Sequence, residues 1–370
     1  MKKYISIFLT AIFVLSCFSG CGASASATAD KAASAAADGN DKIQIVTTIF
    51  PEYDWVKNVL GDNPAGAEVT MLLDNGVDLH SFQPTAEDIL KISTSDVFIY
   101  VGGESDDWVD DALKEAVNKD MKVINLLEVL GEDIVEEEVV EGMQEGEHAH
   151  EHEHDEDHDH DEDEDHDDHD HDADEDHDDD EHDQTHEHGE EPEYDEHVWL
   201  SLESSEELVE AIAKAISEAD PENAETYKKN ADEYKAKLEA LDEQYEEVVE
   251  GSAQKTILFG DRFPFRYMVD DYDLEYYAAF VGCSAETEAS FETVTFLANK
   301  VDELGLKAVL TIENSDQKIA KTIVENTTAS NQQILTMDSM QSTTSKDVEG
   351  GASYLSAMEK NLEVLKEALK

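Results

Sequence analysis

Apolar and polar positions alternate along this chain in two rhythms that take turns. Short β-branched or apolar runs at Ile43 to Thr47, Glu68 to Leu73, Val97 to Val101 and Val123 to Leu126 have the length and residue types of buried strands. Helical spacing fills the gaps at Pro51 to Leu60 and Trp108 to Asn118. A third helix opens at Thr85, where Asp88 completes a capping box ahead of Ile89, Leu90 and Ile92. The second half repeats the scheme. Strands are predicted at Thr256 to Phe259, Tyr276 to Phe280, Ala308 to Ile312 and Gln333 to Met337, and helices at Phe263 to Asp270, Phe291 to Leu304, Asp316 to Thr327 and Ser353 to Leu369. Alternating strand and helix imply an α/β fold of two lobes, each a mostly parallel sheet flanked by helices. Between the lobes, Ser205 to Ala219 is amphipathic. Asp220 and Pro221 then read as the N-cap and first residue of a helix reaching about Val249. At 1.5 Å per residue its roughly thirty residues span about 45 Å, more than a crossover inside one lobe needs, so it reads as a rigid strut.

One stretch follows neither rhythm. From Glu147 to Glu196 histidine is interspersed among aspartate and glutamate with almost no apolar residue, so the segment cannot bury enough surface to offset the entropy of ordering. Disorder is expected across 133–196. Thirteen of the fifteen histidines lie here: His148, His150, His152, His154, His158, His160, His166, His169, His171, His177, His182, His186 and His188. Acid alone would make a solvated spacer; repeated imidazole among carboxylates points to contact with Zn²⁺ and its neighbours in the divalent series. The surrounding carboxylates favour imidazolium, so protons should compete with metal as pH falls through about 6 to 7.

The net charge of −67 comes disproportionately from this run, but the rest of the chain is acidic too. That argues against nucleic acid and against electrostatic binding to an anionic membrane, and favours cationic ligands. The N-terminus reads as a targeting segment. Lys2 and Lys3 precede a mostly apolar Tyr4 to Phe18, and Phe18-Ser19-Gly20-Cys21 resembles a bacterial lipobox. Cleavage before Cys21 with lipid on its sulfur is expected, Cys17 being the weaker candidate. Beyond Cys21 only Cys283 remains, so no intramolecular disulfide is expected. The organisation read from sequence is a lipoprotein signal peptide at 1–20, a flexible tether at 21–41 and an N-terminal lobe at 42–220 containing the disordered loop. A connecting helix at 221–250 and a C-terminal lobe at 251–370 complete it.

Outside the run there are two histidines, His80 and His197, each just beyond a predicted element and next to acid. His80 lies past the carboxyl end of a strand, where ligands gather in open α/β sheets. Asp78-Leu79-His80-Ser81-Phe82-Gln83-Pro84 resembles the D-P-H-S-F-E-P motif of the zinc and manganese solute-binding lipoproteins of metal ABC importers, the cluster A-I family. Glu196-His197-Val198-Trp199-Leu200 resembles the D-P-H-x-W-L motif of that family, and a histidine-rich insertion just before it is typical of the zinc-uptake type. Trp108, the segment Glu286 to Ser290 and the segment Thr336 to Ser339 also fall where the family has counterparts. The resemblance runs from about Ile43 to Leu369.

It implies an extracytoplasmic, lipid-anchored, non-enzymatic protein, expected to be a monomer. Such a protein captures Zn²⁺ (Mn²⁺ being less favoured) between two lobes for a membrane permease, with the histidine run as a collecting antenna. Carried over, His80 and His197 match the first two metal ligands and Asp338 the late aspartate that closes the site in manganese-type members. The third ligand departs from the family: Phe259-Gly260-Asp261-Arg262-Phe263-Pro264-Phe265 places Gly260 where the family has histidine or glutamate. Asp261 is the neighbouring candidate, with an ion pair to Arg262 or a helix cap as its structural alternative. Glu104, Cys283, Glu286, Glu288 and Glu313 are further candidates. Two other functions stay open: a surface zinc buffer, scavenger or adhesin acting through the run, and a metal-dependent hydrolase. The last is the weakest, because no general base beside an activated nucleophile stands out.

Overall fold

The computed structural model describes residues 42–144, 193–284 and 288–370. The signal segment, the tether with Cys21, the thirteen histidines from His148 to His188 and Glu286 lie outside the described residues.

The N-terminal lobe runs β1 (Gln44–Thr47), α1 (Phe50–Leu60), β2 (Glu68–Met71), α2 (Ala86–Thr94), β3 (Val97–Tyr100), α3 (Trp108–Lys114), β4 (Lys122–Asn125) and α4 (Leu126–Leu130). After the histidine run come α5 (Leu202–Ala219) and the 28-residue α6 (Ala224–Gly251). The C-terminal lobe runs β5 (Thr256–Phe263), α7 (Arg266–Asp271), β6 (Glu275–Val281), α8 (Phe291–Leu304), β7 (Ala308–Ile312), α9 (Lys318–Asn326), β8 (Gln333–Met337), α10 (Ser345–Glu349) and α11 (Tyr354–Ala368).

Each lobe holds a four-stranded, wholly parallel sheet, in the orders β2-β1-β3-β4 and β6-β5-β7-β8. The two orders are the same permutation, so the second half of the chain repeats the topology of the first. Interior strands β3 and β7 are buried at every position, as expected where helices cover both faces of a parallel sheet. The capping box at Thr85 and Asp88 forms as the sequence predicts.

Helix α6 is more than a strut. Tyr227, Ala231, Tyr234, Leu238, Leu241, Tyr245 and Val249 form one buried stripe three or four residues apart, packed against α5, α1 and α11. One apolar core runs from Ile45 to Leu369 through both lobes, and α8, α9 and the outer parts of β6 and β7 enclose a smaller second core. α11, the last helix of the C-terminal lobe, returns to the first. Tyr354 Oη donates to Trp199 O at 2.7 Å and lies 2.8 Å from Ser205 Oγ, while its ring meets Trp55 edge-on at 5.3 Å.

Several boundaries differ from expectation, and three of the differences have a visible physical cause. α6 starts after Asn223, because Asp220 caps the end of α5 and spends its carboxylate on Asn223 Nδ2 and Tyr227 Oη, both at 2.6 Å. β5 continues through the polar Asp261-Arg262 pair to Phe263, with a register shift between Phe259 and Arg262, so the next helix starts at Arg266. The roots of the histidine loop are built into the fold rather than disordered: Glu136 bridges Tyr194, Gln144 N donates to Ala279 O at 3.0 Å, and Tyr267 Oη donates to Asp195 O at 2.9 Å.

Candidate metal centre

The site forms where the carboxyl ends of both sheets face each other. On the N-terminal side, the loop after β2 makes a single 3₁₀ turn, Leu79–Ser81, capped by Asp78, whose carboxylate accepts from His80 N at 3.1 Å. This turn aims His80 into the cleft. His197 enters from the far root of the histidine loop, just ahead of the 3₁₀ turn Val198–Leu200. It is fully buried, and Trp199 beside it is fixed by an Nε1 donation to Ser339 O at 2.8 Å.

The two imidazoles meet Nε2 to Nε2 at 3.2 Å. Their other nitrogens face acid. His197 Nδ1 lies 2.9 Å from Asp195 Oδ1, and His80 Nδ1 lies 2.8 Å from Ser105 Oγ and 3.3 Å from Glu196 Oε2. An Nδ1–H donating in that direction leaves each Nε2 lone pair directed at one point, the arrangement in which a carboxylate orients a metal-binding histidine. Two nitrogens about 2.0–2.1 Å from one tetrahedral zinc ion would be about 3.3 Å apart, so the observed separation already fits.

The third member of the group is Cys283. Single ligating atoms from His80, His197 and Cys283 all lie within 4.8 Å of one another. Cys283 sits in the turn that ends β6, closed by Ser284 N donating to Val281 O at 3.3 Å, and its own N–H donates to Glu137 Oε1 at 3.1 Å. Two glycines permit the approach. A Cβ on Gly282 would stand 3.0 Å from His197 Cε1 and 2.9 Å from Phe263 O. Gly103 has φ +77°, and a Cβ there would meet Glu196 Oε1 at 2.4 Å.

The other sequence candidates are engaged elsewhere. A Cβ on Gly260 would lie 2.6 Å from the Ala320 backbone, so that position faces α9 and not the cleft. Asp261 Oδ1 accepts from Arg262 N at 3.0 Å, and Asp338 Oδ1 accepts from Met340 N at 2.9 Å while Asn361 clasps the Asp338 main chain. Neither carboxylate belongs to the group with His80 and His197. Glu313 is bound to Ser339 through N at 2.7 Å and Oγ at 2.8 Å, and Glu288 accepts through its main-chain oxygen from Gln144. Glu104 starts the short 3₁₀ turn that brings Ser105 to His80 and Glu196.

The electrostatics suit a dication. Burial pushes the Glu196 carboxyl up, but His80 and Ser105 outweigh it and hold it below the usual carboxylate range. Asp78 is likewise held low against burial, chiefly by the Arg262 guanidinium with which it pairs and by His80. Burial pushes the Cys283 thiol far up, and the charges of Asp195, Glu137 and Glu196 add to the effect. A bound cation reverses that balance, since coordination deprotonates a thiol outright. Asp195, Ser105 and Glu137 were not singled out from sequence, and Arg262, considered there as an ion-pair partner of Asp261, pairs with Asp78; the acid pair Asp195-Glu196 immediately ahead of His197 was the available signal.

The family model described as "Zinc-uptake complex component A periplasmic" matches residues 45–368. The chain belongs to this family. Among its relatives, the zinc-binding lipoprotein AdcA of Streptococcus pneumoniae is 30% identical over 90% of this chain and 56% of that protein. The zinc-binding protein AdcA of Streptococcus pyogenes is 29% identical over 88% and 56%. This chain thus spans little more than half the length of these AdcA proteins. ZnuA of Bacillus subtilis, a high-affinity zinc uptake system protein, is 28% identical over 100% of this chain and 98% of its own. The Zn(II)-bound ZnuA-like domain of S. pneumoniae AdcA superposes with a TM-score of 0.62 at 27% identity, over 89% of this chain and 99% of that domain. Membership agrees with the resemblance carried by the His80 and His197 motifs, and the two-lobed fold is the one those motifs imply.

Proposed function

We propose that this chain is the extracytoplasmic binding component of an ABC importer, which captures Zn²⁺ between its lobes and hands it to a membrane permease. The convergence of His80 and His197, Nε2 to Nε2 at 3.2 Å with acid behind each ring, is the observation that carries this reading. Relatives named zinc-binding or zinc-uptake proteins support the choice of metal. Lipid on Cys21 would hold the protein at the outer face of the cytoplasmic membrane, and the tether would give it reach. A relative is itself called a lipoprotein. The histidine run from His148 to His188 acts as a collecting antenna, its roots pinned beside His197 and Cys283. Capture and release, with no chemical step, are the whole activity.

Titration calorimetry tests this. One tight Zn²⁺ equivalent should survive deletion of Glu147 to Glu193 and vanish in His80→Ala and His197→Ala. If the deletion removes all tight binding, the chain is a surface buffer acting through its loop.

A further inference from the structure

Within that reading, the identity of the third ligand decides which metal the site prefers. We propose that Cys283 coordinates the captured ion as a thiolate, making a two-histidine, one-cysteine site that selects Zn²⁺ over Mn²⁺. Three observations lead there. The sulfur is the only ligating group contributed by the C-terminal lobe to the cluster within 4.8 Å, among the described residues. The carboxylates that could have replaced it, Asp261 and Asp338, lie outside that cluster, and each gives one oxygen to a main-chain donor of its own lobe. The turn that carries Cys283 is shaped to deliver it: Gly282 lets the turn come against the His197 ring, and Glu137 holds the Cys283 N–H from the neighbouring loop root.

The chemistry follows from ligand softness. Thiolate favours zinc and other thiophilic ions, whereas manganese prefers carboxylate, carbonyl and water oxygen. With Zn–S of about 2.3 Å and Zn–N of about 2.0–2.1 Å, the three groups close on one ion after a contraction of the sulfur alone, because the nitrogens are already at tetrahedral spacing. Three protein ligands leave a fourth position for water, which suits an ion that must later leave. The bond also ties the lobes together. Its nitrogen ligands belong to the loop after β2 and the loop root before α5, and its sulfur to the turn after β6, so release requires either separation of these segments or exchange of one ligand.

Cobalt(II) is the probe, because a thiolate ligand gives it an intense near-ultraviolet charge-transfer band that histidines and carboxylates of the loop cannot produce. Titrating the full chain with Co²⁺ should raise this band to saturation at one equivalent. Zn²⁺ should abolish it stoichiometrically, and Cys283→Ser should lack it. Cys283→His should bind zinc again without the band, an outcome that a merely packing cysteine does not predict. In Zn²⁺/Mn²⁺ competition, Cys283→Ser should lose about 100-fold in zinc affinity and less than about threefold in manganese affinity. A tight zinc equivalent that depends on His80 and His197, with no charge-transfer band in the unaltered chain, would overturn the thiolate ligand and leave the importer reading standing. Tight binding indifferent to either histidine would overturn both.

Discussion

In the N-terminal lobe the edge strand β2 leads to a loop that presents nitrogen; in the C-terminal lobe the corresponding edge strand β6 leads to a turn that presents sulfur. The backing differs as well. His80 has Ser105 and Glu196 behind it, whereas Cys283 is positioned through its main-chain N–H by Glu137 and through the absence of a side chain at Gly282. Repeated topology therefore brings His80 and Cys283 out at the carboxyl ends of the two edge strands, with His197 added from the loop root before α5, and leaves their chemistry free to diverge. One side carries rigid, oriented imidazoles. The other carries a polarizable atom whose position depends on a close backbone approach.

The strongest way to break this comparison is to remove a nitrogen. His197→Ala deletes a fully buried ring and its Nδ1 contact with Asp195, whose carboxylate keeps the main-chain N–H of residue 197. Zinc affinity should fall by more than the 10–100-fold typical of losing a group that merely orients a ligand, and metal-free stability should drop by about 1–3 kcal/mol. Calorimetry and urea unfolding read the two effects. A variant that keeps tight zinc binding would show that the nitrogen side is not the rigid half of the site.

Acid backing comes next. Asp195→Asn and Glu196→Gln keep shape and remove charge, and each should weaken zinc binding by about 10–100-fold while unfolding midpoints without metal stay nearly unchanged. If both substitutions left affinity untouched, the contrast between oriented nitrogens and a main-chain-positioned sulfur would collapse.

His80 and His197 were legible because their neighbours form motifs: Asp78 caps the turn that aims one, and Trp199 anchors the other. Strands such as Ala308–Ile312 and Gln333–Met337 were legible because a short run of mostly apolar and β-branched residues between helical stretches has few other uses. Cys283 was one of five further candidates and stood out from none of them, because a single cysteine after a buried strand carries no spacing signal and only folding brings it to His197. Gly260 marks where the sequence departs from the family. It stands where the family has histidine or glutamate but has no side chain to offer, and a Cβ there would meet Ala320 on α9. The start of α6 was misplaced because Asp220 and Pro221 have the right types for an N-terminus, and their use in closing the turn from α5 depends on Tyr227 one helix later.

The lobes differ at the site and yet share a joint, and pH can test how firmly. Asp54 on α1 accepts from Tyr354 N on α11 at 3.2 Å and from Tyr234 Oη on α6 at 3.3 Å. Burial raises its carboxyl to about 6, those hydrogen bonds opposing the rise only in part. A carboxyl whose folded pKa is raised stabilises the fold below its unfolded pKa of about 4, and that contribution is lost as pH rises through about 6. Metal-free protein should therefore lose up to about 3 kcal/mol from this group between pH 4 and pH 7, and Asp54→Asn should flatten that part of the slope. Both lobes should unfold in one transition. Two transitions, with only one responding to Asp54→Asn, would make the lobes separable units.

The smallest effect is expected where the sulfur side depends on close packing at Gly282. Gly282→Ala places a methyl 3.0 Å from His197 Cε1 and 2.9 Å from the Phe263 main-chain oxygen, closer than side chains ordinarily come, so the turn must shift. The turn should retreat by a few tenths of an ångström, carrying Cys283 with it. At an overpacking cost of about 1 kcal/mol, zinc affinity should fall by less than about tenfold. The Co²⁺ charge-transfer band should persist with a shifted maximum, since the sulfur still binds but at altered geometry. Nitrogen-side variants make a different prediction: Asp195→Asn should weaken binding without moving the band, because it changes the orientation of a ring and leaves the Co–S bond alone. A band that shifts in Asp195→Asn and stays fixed in Gly282→Ala would reverse the assignment of which side of the site is held by charge and which by close packing.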